Sequence, residues 1–181
     1  MDVLSLIFLS LWIMLPAYIP NNAAAIFGGG TPLDLRYSWR GNRLLGDGKT
    51  IRGSVSGISF GILAALLLNA TNQPLSSILS LELPIFPVVV ILSLSIGSLL
   101  GDAMASFLKR SLGISRGTSI PLLDQLDFVI GSLLLLLFIS PNWFFETLTL
   151  PILITIFILT PFLHLSINII GYLLGIKKVP W

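Results

Sequence analysis

Three acids and three bases fall close together in the second half of the chain: Asp102, Asp124 and Asp127, with Lys109, Arg110 and Arg116 between them. If the segment around Asp102 is helical, Asp102, Ser106 and Lys109 stand at i, i+4 and i+7 and share one face. Asp124 and Asp127, at i and i+3 shortly after Pro121, point the same way from the opening turns of the next helix. Two carboxylates side by side repel unless a cation joins them. The chemistry this group suits is phosphoryl or nucleotidyl transfer, with carboxylates holding Mg²⁺ and Lys or Arg stabilising the charge of departing pyrophosphate. Any one of these acids alone reads more simply as the ion-pair partner of a base or as a complement to a helix N-terminus. Three of them, interleaved with three bases in a chain with only 8 acids, favour a functional cluster.

A second polar stretch, Leu45-Gly46-Asp47-Gly48-Lys49-Thr50-Ile51-Arg52-Gly53, combines flexible glycines with a lysine, an arginine and a hydroxyl. Backbone N–H groups beside glycines, with Lys as a point charge and Arg as a fork, are the groups a polyphosphate requires. A basic loop facing lipid headgroups would have the same composition, and the stretch alone does not separate the two. It is not a Walker A loop, because Arg43 stands where the first glycine belongs and no strand precedes it. Asp47 to Arg52 also comes within one residue of the D-G-x2-A-R core of the CDP-alcohol phosphotransferases. The acids that family needs further on would fall at positions such as Ala65 and Asn69, so that match fails.

The elements that must position these residues are set by hydropathy. Of 181 residues 55% are hydrophobic and 10% charged, and the mean hydropathy of +0.97 is that of an integral membrane protein. A formal charge of +2 offers no broad basic surface, which argues against nucleic acid as a partner. With no Cys and one His, thiol chemistry, disulfides and Cys or His-cluster metal sites are excluded, so any metal is a hard ion held by carboxylates. Ionisable residues divide the chain into uncharged runs, and about 20 apolar residues cross a bilayer, so five spans are expected. The expected fold is an all-α membrane bundle of about five transmembrane helices in a single domain, residues 1–181. Its spans are near 3–26, 54–70, 84–108, 121–139 and 150–174.

All ten bases fall on one side of that topology: Arg36, Arg40, Arg43, Lys49 and Arg52, then Lys109, Arg110 and Arg116, then Lys177 and Lys178. The other side receives only Asp2, Glu82 and Glu146. The positive-inside rule therefore puts the N-terminus outside, with loops 27–53 and 109–120 and the tail 175–181 in the cytoplasm, the two loops forming the active site. Small residues recur every fourth position at Gly53, Gly57, Gly61 and Ala65, at Ser93, Gly97, Gly101 and Ala105, and at Gly171 and Gly175, which reads as close helix packing. His164, deep in the last span between Leu163 and Leu165, reads as a packing residue far from the charged loops.

Ser106-Phe107-Leu108-Lys109-Arg110 followed by Asp124-Gln125-Leu126-Asp127 resembles the S-x-x-K-R … D-R-x-D signature of the phosphatidate cytidylyltransferases, with Gln125 where that signature has Arg. Pro20-Asn21-Asn22, Gly46 through Gly53 and Pro121 through Asp127 resemble loops of its archaeal branch, the CDP-archaeol synthases. That resemblance implies Mg²⁺-dependent transfer of CMP from CTP to an isoprenoid ether-lipid phosphate, 2,3-di-O-geranylgeranylglyceryl phosphate, giving CDP-archaeol and pyrophosphate. It makes Asp102, Asp124 and Asp127 the metal ligands, and Lys49, Arg52 and Lys109 the catalytic bases of charge. It adds Gly46, Asp47, Gly48, Thr50, Ser106, Arg110 and Arg116 as phosphate-binding residues, and Asn21 and Asn22 as candidates for the cytosine. The rival readings are a CTP-dependent lipid or polyprenol kinase, which would release CDP, and a small cation transporter, whose acids would line a path across the bilayer.

Overall fold

Prolines at 16 and 20 do not stop the first helix, and a neighbouring side chain takes up the carbonyl that Pro20 strands. α1 runs from Val3 to Phe27 straight through both, opened by Asp2, whose carboxylate accepts from the Ser5 amide at 2.8 Å. Pro20 has no N–H to give the carbonyl of Pro16, and Ser95 Oγ donates to that oxygen instead at 3.4 Å, with Ser98 Oγ donating to Ala17 O at 2.7 Å.

The computed structural model describes residues 2–39, 42–114, 118 and 120–175; Arg40, Arg116, Lys177 and Lys178 lie outside them. After α1 come two-residue strands β1 (Ser38–Trp39) and β2 (Asn42–Arg43), paired antiparallel, then α2 (Ile51–Leu79) and α3 (Val88–Ser111). α4 (Leu123–Ile139), α5 (Pro141–Thr147) and α6 (Leu150–Leu173) complete the order. α1, α2, α3 and α6 are long and apolar enough to cross a membrane, and α4 with α5 makes a fifth candidate, bent by 120° at the break between them.

Two element boundaries differ from the hydropathy reading. α2 continues to Leu79, past residue 70, because polar Asn69 and Asn72 face the next connection rather than ending the helix. Asn69 accepts from Phe86 N and donates to Phe86 O, both at 2.8 Å, and Asn72 Nδ2 donates to Leu83 O at 2.9 Å. That clamp, with Pro84 and Pro87, keeps the chain extended, so α3 starts at Val88 rather than near residue 84. The segment after α4, expected to be a simple stop, forms α5. Its Trp143 donates to Ile85 O at 3.2 Å.

The small-residue stripes of α2 and α3 are packing faces. A Cβ on Gly57 would meet Pro20 O of α1 at 2.7 Å, and one on Gly61 would meet Pro16 O at 2.9 Å. On α4, a Cβ on Gly131 would meet Gly101 Cα and Gly97 O, both at 2.5 Å, so α3 and α4 touch backbone to backbone. Gly175 does not pack; it has open space around it and a φ of +72° just past the end of α6. The core lies where α1, α3, α4 and α6 meet, at Ile13, Met14, Leu94, Val129, Leu136 and Ile156. Gly131→Ala is expected to cost about 1–3 kcal/mol by forcing the two backbones apart. A lowered unfolding temperature in detergent is the readout.

Candidate active site

The contact between α3 and α4 places the acids. Asp102 follows Gly101, whose α-carbon faces the backbone carbonyl of Asp127 across the helix pair. Asp124 enters from the first turn of α4, which begins in an unusual way. Leu123 N donates to Pro121 O at 2.8 Å, closing a three-residue turn with Leu122 at φ +66° and ψ −45°, a strained geometry for a branched side chain. Asp124 then holds the turn from the far side, accepting from the Ile120 amide at 3.0 Å.

Lys49 comes to the same place from the first loop. Its carbonyl accepts from Leu33 N at 2.8 Å, Ile51 N donates to Thr31 O at 3.0 Å, and Pro32 bridges Thr50, so two chain segments grip the residue before α2. The ammonium of Lys49 pairs with Asp102. From the last turn of α3, which runs past the expected loop start at 109, Lys109 pairs with Asp124 at 2.7 Å. Each predicted lysine therefore sits on a predicted acid, and both pairs keep partial contact with water, with Lys49 27% and Asp102 26% exposed.

Lys49 and the three acids line a cavity of about 230 Å³ between α1, α3, α4 and α6. Tyr18, Asn21 and Asn22 of α1 and Thr160, His164 and Asn168 of α6 complete its polar lining, with Phe128 and Leu163 among the apolar walls. A smaller cavity of about 80 Å³, lined by Gly48, Thr50 and Ser54, adjoins it and shares Asn21, Lys49 and Asp102. Asn22 Nδ2 donates to Tyr18 O at 3.1 Å, whereas Asn21 Oδ1 is buried without a hydrogen-bond partner.

Other predicted residues sit away from the larger cavity. The Arg52 guanidinium donates to Phe27 O at 2.8 Å and Gly28 O at 2.7 Å, tying down the end of α1. Thr50 is 4% exposed and caps α2, accepting from Gly53 N and Gly29 N, both at 3.1 Å. Asp47 is exposed and pairs with Arg43 at 2.9 Å, Gly46 turns the loop at φ +83°, and Arg110 donates to Ile114 O. Ser106 is half-buried on α3 outside the cavity lining, and Arg116 lies outside the described residues.

Asp34 and the α6 residues were not anticipated. Asp34, its side chain 1% exposed, accepts from the amides of Arg36, Leu45 and Gly46 and from Arg43 Nε and Nη2. The Arg43 guanidinium, with those amides, holds its carboxyl far below the usual carboxylate range against the opposing effect of burial. It also supports Leu35 and Arg36 in left-handed conformations at φ 46° and 66°. The signal was a buried acid two residues before an arginine in a turn, which is the Asx-turn pattern. For His164 the signal was Thr160, His164 and Asn168 at four-residue spacing on an otherwise apolar helix.

Among the described residues no three His, Asp or Glu side chains already form a metal-holding group. The donor set nonetheless suits a hard divalent ion of the Mg²⁺ type, which is typically bound by one or two carboxylates plus substrate phosphates rather than by an all-protein cage. A cavity lined by three acids and a lysine among apolar helices is the architecture of an intramembrane enzyme. The chain belongs to the CarS-like family of CDP-archaeol synthases, whose model matches residues 3–181, and it is a membrane cytidylyltransferase. It is 53% identical to the CDP-archaeol synthase of Methanospirillum hungatei over 93% of this chain and all of that one. It is 46% identical to that of Halobacterium salinarum over the full length of both. The fold matches a solved intramembrane enzyme of archaeal membrane lipid biosynthesis with a TM-score of 0.72 and 36% identity, over 88% of this chain and 92% of the other.

A depressed carboxylate stabilises the fold above its unfolded pKa of ~3.9 and loses that contribution as pH falls below it. Protection of the segment around Asp34 from proteolysis is therefore expected to persist at neutral pH, to weaken progressively below ~3.9 and to be lost only once pH falls through the depressed folded-state value. Asp34→Asn is expected to lose about 1–3 kcal/mol of that protection already at neutral pH.

Proposed function

We propose that the protein transfers CMP from CTP to an unsaturated archaeal ether-lipid phosphate, 2,3-di-O-geranylgeranylglyceryl phosphate, in a Mg²⁺-dependent reaction that yields CDP-archaeol and pyrophosphate. The observation that carries this reading is the convergence of Lys49 from one loop with Asp102, Asp124 and Asp127 from two helices in a single cavity. The reading also puts that cavity at the cytoplasmic face, with the N-terminus outside and the C-terminus inside, because the bases gather at that end of the spans.

An oxygen of the lipid phosphate attacks the α-phosphorus of CTP, a new P–O bond forms, and the bond from the α-phosphorus to the bridging oxygen breaks, releasing pyrophosphate. The nucleophile is already an anion, so no general base or covalent enzyme intermediate is needed, and the protein's task is alignment and charge neutralisation. Lys49 and Lys109 supply positive charge to the triphosphate, leaving Asp102 and Asp124 free to turn to a cation. Asp102, Asp124 and Asp127 would hold Mg²⁺, which would supply positive charge against the phosphate oxygens. Asn21 supports the cytosine assignment, because cytosine presents an N4 amine beside the N3 and O2 acceptors and a buried amide oxygen without a partner suits that amine. Arg52, Thr50 and Asp34 shape the loop that delivers Lys49.

Gathering of the acids at one end of the bundle disfavours a cation transporter. Purified protein in detergent with CTP, Mg²⁺ and the ether-lipid phosphate is expected to release pyrophosphate, with release abolished by EDTA. Asp124→Asn is expected to lower the rate by about a hundredfold or more while protein yield is kept. Release of CDP would identify a kinase. A transport defect in Asp124→Asn with intact CTP turnover would overturn the enzyme reading.

A further inference from the structure

One wall of the larger cavity has no part in the chemistry described so far. The residues of α6 at four-residue spacing, Ile152, Ile156, Thr160, His164 and Asn168, form a stripe along its inner face, and the stripe changes from apolar to polar at Thr160. Thr160 is occupied, its hydroxyl donating to Ile156 O at 2.7 Å and bonded to Tyr18 OH at 2.9 Å. His164 is held in a fixed attitude. Its ring stacks on Phe128 with centroids 6.2 Å apart, and Asn168 Nδ2 lies 3.1 Å from its Nδ1. Asn168 itself is 2% exposed. The same Nδ2 lies 3.5 Å from Nε2, so this amide donor faces both ring nitrogens, one of which accepts while the other carries the ring proton.

The same wall is where the cavity meets the outside of the bundle. Ile167, 44% exposed, lines the cavity one turn from His164, and exposed Ala25 of α1 lines it too. The rim these two residues make is apolar, while the charged loop carrying Lys49 bounds the cavity elsewhere. A substrate with long hydrocarbon chains and one phosphate, entering over Ile167 with its chains in the membrane, brings that phosphate to the imidazole before it reaches the acids.

We infer that His164, oriented by Asn168 and Phe128, is the binding residue for the phosphate monoester of the lipid acceptor, donating a ring N–H to a phosphate oxygen inside the cavity it shares with Lys49. This rests on the transfer reading above and adds a second phosphate subsite to it. Asn168 is a positioning residue, acting through the attitude of the ring. The subsite recognises a phosphate monoester, and the triphosphate of CTP is the other source of such oxygens, so the two substrates must be varied separately.

The test uses the full-length protein in detergent, with the geranylgeranyl ether-lipid phosphate varied at saturating CTP and CTP varied at saturating lipid. His164→Phe keeps a ring against Phe128 and removes the donor. His164→Gln places an amide N–H₂ near Nε2. The expected result is a rise of about tenfold or more in the KM for lipid phosphate in His164→Phe, a CTP KM within about twofold of wild type, and recovery of most of the loss in His164→Gln. Asn168→Ala is expected to raise the lipid KM by a smaller factor and carries the same test if His164→Phe does not fold. An unchanged lipid KM, a rise in the CTP KM instead, or a His164→Gln variant as impaired as His164→Phe would each overturn the inference. Those results leave transfer by the wild type intact, whereas a wild type that turns over no CTP overturns the transfer reading itself and this inference with it.

Discussion

The backbones of α3 and α4 meet at Gly97, Gly101 and Gly131, and the position of every cavity acid follows from that contact. A side chain at any of the three would push the helices apart, because what it would strike is main chain, which cannot rotate away. With the glycines in place, Asp102 and Asp127 stand on facing surfaces of two touching helices, and Asp124 sits one turn away beside the mouth of α4. Carboxylates brought this close on an apolar scaffold require positive charge, and the first loop delivers Lys49 and the last turn of α3 delivers Lys109 to provide it.

That arrangement suits an enzyme with two unlike substrates. Both lysine pairs remain partly open to water, so exchanging a carboxylate for a phosphate as partner costs less than breaking a fully buried pair would. Lys49 stands between the larger and the smaller cavity and can face either. The loop that holds it is braced by the buried Asp34 and by Arg52, so the lysine is aimed by interactions that do not themselves enter the cavity. The apolar rim at Ile167 gives a lipid a way in from the side.

Much of the helical frame was legible because hydropathy and charge are long-range signals: uncharged runs marked α1, α3, α4 and α6, and fourfold glycine spacing marked the tight contacts. The failures were local. Asn72 and Pro74 fell outside the expected span 54–70, yet α2 runs through them because Asn69 and Asn72 bond a neighbouring extended segment that the sequence does not announce. The gathering of Asp102, Asp124 and Asp127 was readable from residue type and spacing, whereas Lys49 joined them only through the resemblance of its loop. The roles of Arg52 and Thr50 were not, since a loop that binds phosphate and a loop that caps two helices use the same residues. His164 was misplaced for a different reason: depth along a helix says how far a residue lies from the ends, but not that a cavity descends between α1, α4 and α6 to reach it.

The account stands or falls on one cavity receiving the nucleotide. A structure determined with CTP and Mg²⁺ bound tests it most directly. The account predicts the triphosphate between Lys49 and the three acids, the Lys49–Asp102 pair opened, and the cytosine beside Asn21. Nucleotide bound on the outer surface of loop 27–53, with the Lys49–Asp102 pair intact and the cavity unchanged, would contradict it.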